Sequence, residues 1–261
     1  ASNKQPYFEA KPSQKEIDAL QQKHLAHNIK ELQRIFTIAA TANGPVHINI
    51  PMEEPLYGMT NTPIDFPVIP ELKPRVPETN YKELLSAWKS SKRKMILIGV
   101  AKPNAELATV LDTLLQDPSV VVFTEKTSNL SHPNAIGAID CLMAPLELEQ
   151  NGGEAELKPD LLLTLGGMIV SKKIKFFLRK HQALNHFHID QTKANDTFYY
   201  LSQHIHAPAE NILTALTEIS TTKSDYQFNI LSRYRNYLQK GKGYLSKIPF
   251  SDLRVFELIT Q

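Results

Sequence analysis

The residues with the clearest capacity for chemistry lie in one stretch. Gly166-Gly167 closes an apolar run, and Ser171-Lys172-Lys173 follows where a helix is expected to begin. Ammonium groups at the positive end of a helix dipole cost on the order of 0.3–1 kcal/mol each unless an anion lies nearby. Lys172 and Lys173 therefore mark a candidate binding site for an acidic ligand. Packing does not need them, because Ile174, Phe177 and Leu178 already supply the inward face of the helix. Two plainer readings stay open: the glycine pair permits a tight turn, and the lysines, continued by Lys175, Arg179 and Lys180, form a solvated basic face.

Other reactive residue types form weaker patterns. Histidines cluster at His181, His186, His188, His204 and His206, and the last four make two His-x-His pairs whose members share a strand face. No carboxylate stands at metal-ligand spacing, so no metal site is expected. His47 reads as a partly buried histidine and Cys141 as a small apolar residue. Glu53 and Glu54 are adjacent, point to opposite sides of an extended chain and make a poor acid/base pair. No complete catalytic set is present, and no catalytic residue, cofactor-binding residue or metal ligand is assigned.

The elements that must position these residues follow from hydrophobic periodicity. Residues 13–42 read as an amphipathic helix, with Ile29, Leu32, Ile35, Phe36 and Ala39 on one stripe. Asn43-Gly44-Pro45 stops it, and the alternation of Val46 to Ile50 predicts a short strand. One helix and one strand cannot bury their own faces, so their partners are expected outside this chain. Between residues 51 and 80, seven prolines (Pro51, Pro55, Pro63, Pro67, Pro70, Pro74 and Pro77) predict a semi-rigid linker.

Beyond the linker the pattern alternates strand and helix. Strands are predicted at 94–100, 119–123, 161–165 and 186–189, and helices at about 104–115, 171–181 and 208–219. Runs such as Met95-Ile96-Leu97-Ile98 and Val120-Val121-Val122-Phe123 are apolar on both faces, as parallel strands covered by helices require. The expected fold class is α/β, a Rossmann-like open parallel sheet with truncated flanking segments. The loop carrying Gly166-Gly167 then falls at the carboxyl end of a strand, where open α/β sheets hold ligands. After about Thr222 the sequence is polar and aromatic up to Tyr244, and a capped amphipathic helix is predicted over 251–259.

Composition bounds the function classes. The 261 residues include 42% hydrophobic and 21% charged residues, which is ordinary globular usage. The net charge of +2 predicts no attraction to nucleic acid or to a membrane surface. The single cysteine allows no intrachain disulfide. No apolar run approaches the ~20 residues that span a bilayer, and a soluble cytoplasmic protein is expected. The chain opens Ala1-Ser2-Asn3 without a methionine, which reads as an excised piece.

Gly44-Pro45-Val46-His47-Ile48-Asn49-Ile50-Pro51-Met52-Glu53-Glu54-Pro55-Leu56-Tyr57-Gly58 resembles the segment that closes the first domain in thiamine-diphosphate enzymes. Its continuation, Glu54-Pro55-Leu56-Tyr57, is most similar to the synthases of menaquinone biosynthesis within that superfamily. Thr124–Gly137, Thr164–Lys173 and Ile189-Asp190 with Asn195-Asp196 are similar to the loops and strand ends of the middle domain of those synthases. The resemblance implies four segments: residues 1–60 as the tail of the pyrimidine-binding domain, 61–80 as a proline-rich linker, 81–222 as a central Rossmann-like domain, and 223–261 as a linker and the start of the diphosphate-binding domain.

It further implies a transferase that uses thiamine diphosphate and Mg2+, decarboxylates 2-oxoglutarate and adds the succinyl semialdehyde unit to isochorismate. The full-length parent is expected to be a homodimer or homotetramer, and this piece, without its flanking domains, to be inactive and free of cofactor. By the same resemblance Lys172 and Lys173 fall where these synthases carry a Lys-Arg pair facing acidic substrates. Here the second member is Lys, which lacks the planar fork for bidentate carboxylate binding. Two other readings stay open: the middle domain of another superfamily member, such as an acetolactate synthase or a 2-oxo acid decarboxylase, and a non-catalytic module that senses an acidic metabolite.

Overall fold

A computed structural model describes residues 12–42, 44–51, 79–149, 152–220 and 223–259. The chain divides into two compact units, residues 1–76 and 77–261. The first unit contains α1 (Gln14–Ala42). Ser13 and Glu16 start this helix reciprocally: the Glu16 carboxylate accepts from the Ser13 backbone N–H at 2.7 Å and the Ser13 hydroxyl accepts from the Glu16 N–H at 3.4 Å. On the predicted stripe Ile29, Leu32, Ile35 and Ala39 are half-buried and Phe36 is exposed.

The strand predicted over Val46–Ile50 does not form: these residues pair with no strand among the described residues, and Val46, His47 and Ile50 are exposed. A strand needs a hydrogen-bonded neighbour, and alternation in the sequence cannot provide one. His47 is correspondingly not the partly buried residue expected. Glu53, Glu54 and residues 61–78 of the predicted linker lie outside the described residues.

The second unit runs α2 (Lys82–Ser90), β1 (Lys94–Ile98), α3 (Ala105–Leu114), β2 (Val120–Thr124), a 3-10 turn at Lys126–Ser128, β3 (Ala135–Ile136), α4 (Ile139–Leu148), α5 (Gly153–Leu157), β4 (Leu161–Leu165), α6 (Lys172–Lys180), β5 (Asn185–Ile189), β6 (Gln203–Ile205), α7 (Ala209–Thr217), α8 (Tyr226–Leu245) and α9 (Asp252–Ile259). All strand pairs are parallel and the sheet order is β3-β2-β1-β4-β5-β6. The fold is thus the α/β open parallel sheet that was expected. Among the described residues it has six strands rather than the predicted four, because β3 and β6, of two and three residues, are too short to give a periodic signal.

Strand residues alternate between two cores. Ile96, Ile98, Val120, Val122, Leu161, Leu163 and Phe187 face one side, where α2, α3 and α7 pack. Met95, Leu97, Val121, Phe123 and Leu162 face the other, where α4, α6 and α8 pack. The doubled burial accounts for the continuous apolar runs. Helix α8 lies in the stretch read from sequence as linker, and it puts Tyr226, Ile230, Leu231 and Tyr234 into the second core. The Tyr226 hydroxyl donates to the Leu157 carbonyl at 2.8 Å, which lets a phenol serve as a buried packing residue.

At the amino end of β1, Lys94 is fully buried, and its ammonium lies 3.1 Å from Asp117 Oδ2 and 2.8 Å from Ser119 Oγ. The Trp88 ring stands 5.0 Å from the same nitrogen. A buried cation persists only when it is paired and hydrogen-bonded in this way.

Candidate functional site

The strand order reverses direction between β1 and β4, and in open α/β sheets ligands bind beyond the carboxyl ends of the strands at such a point. Here the chain itself fills that crevice. The Gly99 N–H donates to the Leu165 carbonyl at 3.0 Å, Val100 N–H to Met168 at 3.2 Å, and Gly167 N–H to Val100 at 2.7 Å. A Cβ on Gly99 would stand 2.3 Å from the Gly167 carbonyl oxygen, and Gly166 adopts φ +77° with the Val100 carbonyl beside it. The glycine pair therefore permits the close approach of two loops, as its tight-turn reading requires.

The loop continues across the end of β1 towards β2, where Glu125 follows the strand. The Glu125 carboxylate accepts from the Val170 N–H at 2.8 and 2.9 Å and from the Ser171 N–H at 2.8 Å. Ser171 caps α6 by accepting from the Ile174 N–H at 3.2 Å, and its hydroxyl donates to Asp140 Oδ1 on α4 at 2.5 Å. The amino end of α6 thus has an internal anion. The cost that was assigned to two lysines at this position is offset by Glu125, Asp140 and Glu147, without any ligand.

The two predicted lysines have different surroundings. Lys173 Nζ is paired with Glu147 Oε2 at 2.5 Å. Lys172 is exposed and has no hydrogen-bond or ion-pair partner among the described residues. Arg179 turns away to the Thr197 carbonyl and the face of Tyr199, whose φ is +69°. Lys180 joins Glu154 at 2.6 Å. Cys141 is exposed on α4 rather than packed as a small apolar residue.

One strand over, a cavity of about 310 Å³ opens at the carboxyl ends of β4 and β5. Its polar lining includes Thr164, Lys175, His188, Asp190, Lys193 and Asn195. Lys175 Nζ donates to the Ile169 carbonyl at 3.1 Å, so its head lies against the turn that precedes α6. Burial pushes the Asp190 carboxyl up, but N–H bonds from Lys193 and Thr192 and the Thr192 hydroxyl outweigh it and hold the group below its usual range.

Beneath the cavity, Thr164 Oγ1 lies 2.8 Å from His188 Nδ1, 2.9 Å from His186 Nε2 and 3.3 Å from the Phe187 carbonyl. A hydroxyl has one proton, so at least one imidazole is the donor. Burial pushes the His186 ring down to about 4, with His188 adding repulsion, and lowers His188 as well. The first His-x-His pair does share a strand face, and burial disfavours the charged form of both rings. His204 donates through Nε2–H to the Asp190 backbone carbonyl at 2.9 Å, and its ring centroid lies 3.7 Å from that of His206. Among the described residues no three His, Cys, Asp or Glu side chains converge as a metal site requires.

Of the site residues, the glycine loop and the two lysines were visible in sequence. Glu125 was not, because its partners lie 45 and 46 residues away. The Asp190 turn had a local signal, an Asp followed two residues later by Thr.

No family model matches the chain. It is 42% identical over 240 residues to a 2-succinyl-5-enolpyruvyl-6-hydroxy-3-cyclohexene-1-carboxylate synthase of Flavobacterium johnsoniae, covering 90% of this chain and 43% of that protein. The synthase of the same name from Christiangramia forsetii is 38% identical over 258 residues, covering 95% of this chain and 45% of the relative. One from Desulfotalea psychrophila is 30% identical over 230 residues, 80% and 42% respectively. The chain is therefore homologous to a part of these synthases, as the resemblance at residues 44–58 implied, and spans less than half their length.

Proposed function

We propose that this chain is the middle portion of a thiamine-diphosphate-dependent synthase of menaquinone biosynthesis, which joins the succinyl semialdehyde unit of decarboxylated 2-oxoglutarate to isochorismate. The observation that carries this reading is 42% identity across nine-tenths of the chain to a protein named for that product. The chain's contribution is a parallel sheet whose β4–α6 joint presents the unpaired ammonium of Lys172 to an acidic substrate. Lys173, committed to Glu147, is its neighbour and not its equal.

The described residues do not fit thiamine diphosphate or Mg2+. Among the described residues no group of three His, Cys, Asp or Glu side chains suits the ion, and α3 and α6 are capped by the side chains of Asn104 and Ser171. Those groups belong, on this proposal, to the pyrimidine- and diphosphate-binding domains of the longer protein, which works as a dimer or tetramer. The nucleotide-bearing alternative, an acetolactate synthase-like middle domain, is disfavoured because the crevice at the strand reversal is occupied by residues 166–171.

The test is turnover. The full-length protein, given 2-oxoglutarate, isochorismate, thiamine diphosphate and Mg2+, is expected to release the cyclohexene carboxylate product, and the 261-residue chain alone none. A full-length protein that decarboxylates 2-oxo acids but leaves isochorismate untouched would refute the assignment.

A further inference from the structure

We infer that Glu125 is a positioning residue. Its carboxylate serves as the anion of the α6 amino end, and it thereby fixes the turn that presents Lys172. Resting on the function proposed above, this makes the Lys172 side chain the cation that recognises an acidic substrate at this joint.

Three observations carry the inference. The carboxylate reaches from the end of β2 across β1 to the segment following β4, so it ties together strands that are not neighbours in the sheet. It takes up the Val170 and Ser171 N–H groups, donors that an external carboxylate or phosphate would otherwise use. The neighbouring cations are committed: Lys173 to Glu147, and Lys175 to the Ile169 carbonyl. Lys172 alone of the three is exposed without a partner among the described residues. Ser171 and Asp140 complete the fastening on the α4 side.

Charge-assisted bonds to two successive N–H groups hold a backbone more firmly than neutral ones. Removing the carboxylate frees Val170 and Ser171, leaves the helix end open to solvent or to substrate, and lets the following residue move. The carboxamide of a Gln variant keeps the reach and one acceptor oxygen, so it restores part of the hold without the charge.

Two measurements decide the matter. On the 261-residue chain, amide hydrogen exchange at Val170 and Ser171 is expected to rise tenfold or more in Glu125→Ala and by less in Glu125→Gln, with Leu161–Leu165 unchanged. Unaltered protection at residues 170 and 171 would overturn the latch. In the full-length synthase, Glu125→Ala and Lys172→Ala are each expected to raise KM for one of the two acidic substrates about tenfold, with kcat within about twofold. The double variant is then no worse than the poorer single one. Additive losses, or a fall in kcat alone, would overturn the positioning role. A wild-type protein without turnover removes the substrate reading of Lys172, and the exchange result then decides the latch by itself.

Discussion

Gly99 and Gly167 meet backbone to backbone at the point where the sheet reverses its order, with no room for a side chain on Gly99: a Cβ there would lie 2.3 Å from the Gly167 carbonyl oxygen and 3.0 Å from Ile169 Cδ1. A methyl group there forces the two loops apart. Gly99→Ala is expected to destabilise by about 1–3 kcal/mol, the usual cost of overpacking. Gly137→Ala, whose Cβ would stand 3.7 Å from Thr124 Oγ1, is the control and costs far less. Chemical denaturation of both variants checks the contrast.

The Lys94–Asp117 pair is a second contrast. Asp117→Ala leaves a fully buried ammonium with Ser119 as its remaining polar partner, and the expected loss is about 3–5 kcal/mol. Lys94→Met puts an apolar chain of similar length beside Trp88, while Asp117 keeps the Ser119 N–H and hydroxyl at 2.9 and 2.6 Å. It is expected to cost much less, as a shift in the urea midpoint will show.

Acid sensitivity follows from His186. Its folded value of about 4 lies below the ordinary 6.5, so between these values the unfolded chain binds more protons than the folded one. Stability therefore rises with pH through this window and is lost as pH falls from about 6.5 to 4, by on the order of 3 kcal/mol. His188 is shifted in the same direction. Unfolding midpoints measured from pH 7 to pH 4 should fall, and the slope should be shallower in His186→Phe.

Helix α8 is expected to be indispensable to the sheet. Ending the chain at residue 222 removes Tyr226, Ile230, Leu231 and Tyr234 from the second core. At about 1.5–3 kcal/mol for each large apolar side chain, that loss is comparable to the whole stability of a domain. The truncated chain should lack cooperative unfolding. A sharp thermal transition at the parent's temperature would contradict this.

The two lysines at the start of α6 should differ in stability as well as in function. Lys173→Ala breaks a partly exposed ion pair and should cost no more than about 1 kcal/mol; Lys172→Ala should cost nothing measurable. Thermal melts of both variants read this directly.

These cases also mark what the sequence could convey. Strands β1, β2 and β4 were legible because both faces of each are covered, which forces near-continuous apolar runs, whereas β5 alternates histidine with Phe187 and Ile189. Helix α8 was not, because its inward face uses two tyrosines whose polarity masks the period. Helix α4 was missed because Cys141 and Pro145 interrupt its pattern, although Leu142, Met143 and Leu146 are buried. Val46–Ile50 had strand chemistry and no ladder. At the site, residue types gave away Lys172 and the glycine turn. The carboxylates that determine what Lys172 and Lys173 can do come from Glu125, Asp140 and Glu147, which only the folded sheet brings near.

The sheet tapers from five residues in its four central strands to three in β6 and two in β3. Rows of backbone donors and acceptors this brief give an incoming chain little to zip onto. Its outermost strands thus act as terminators of the ladder as much as structural members.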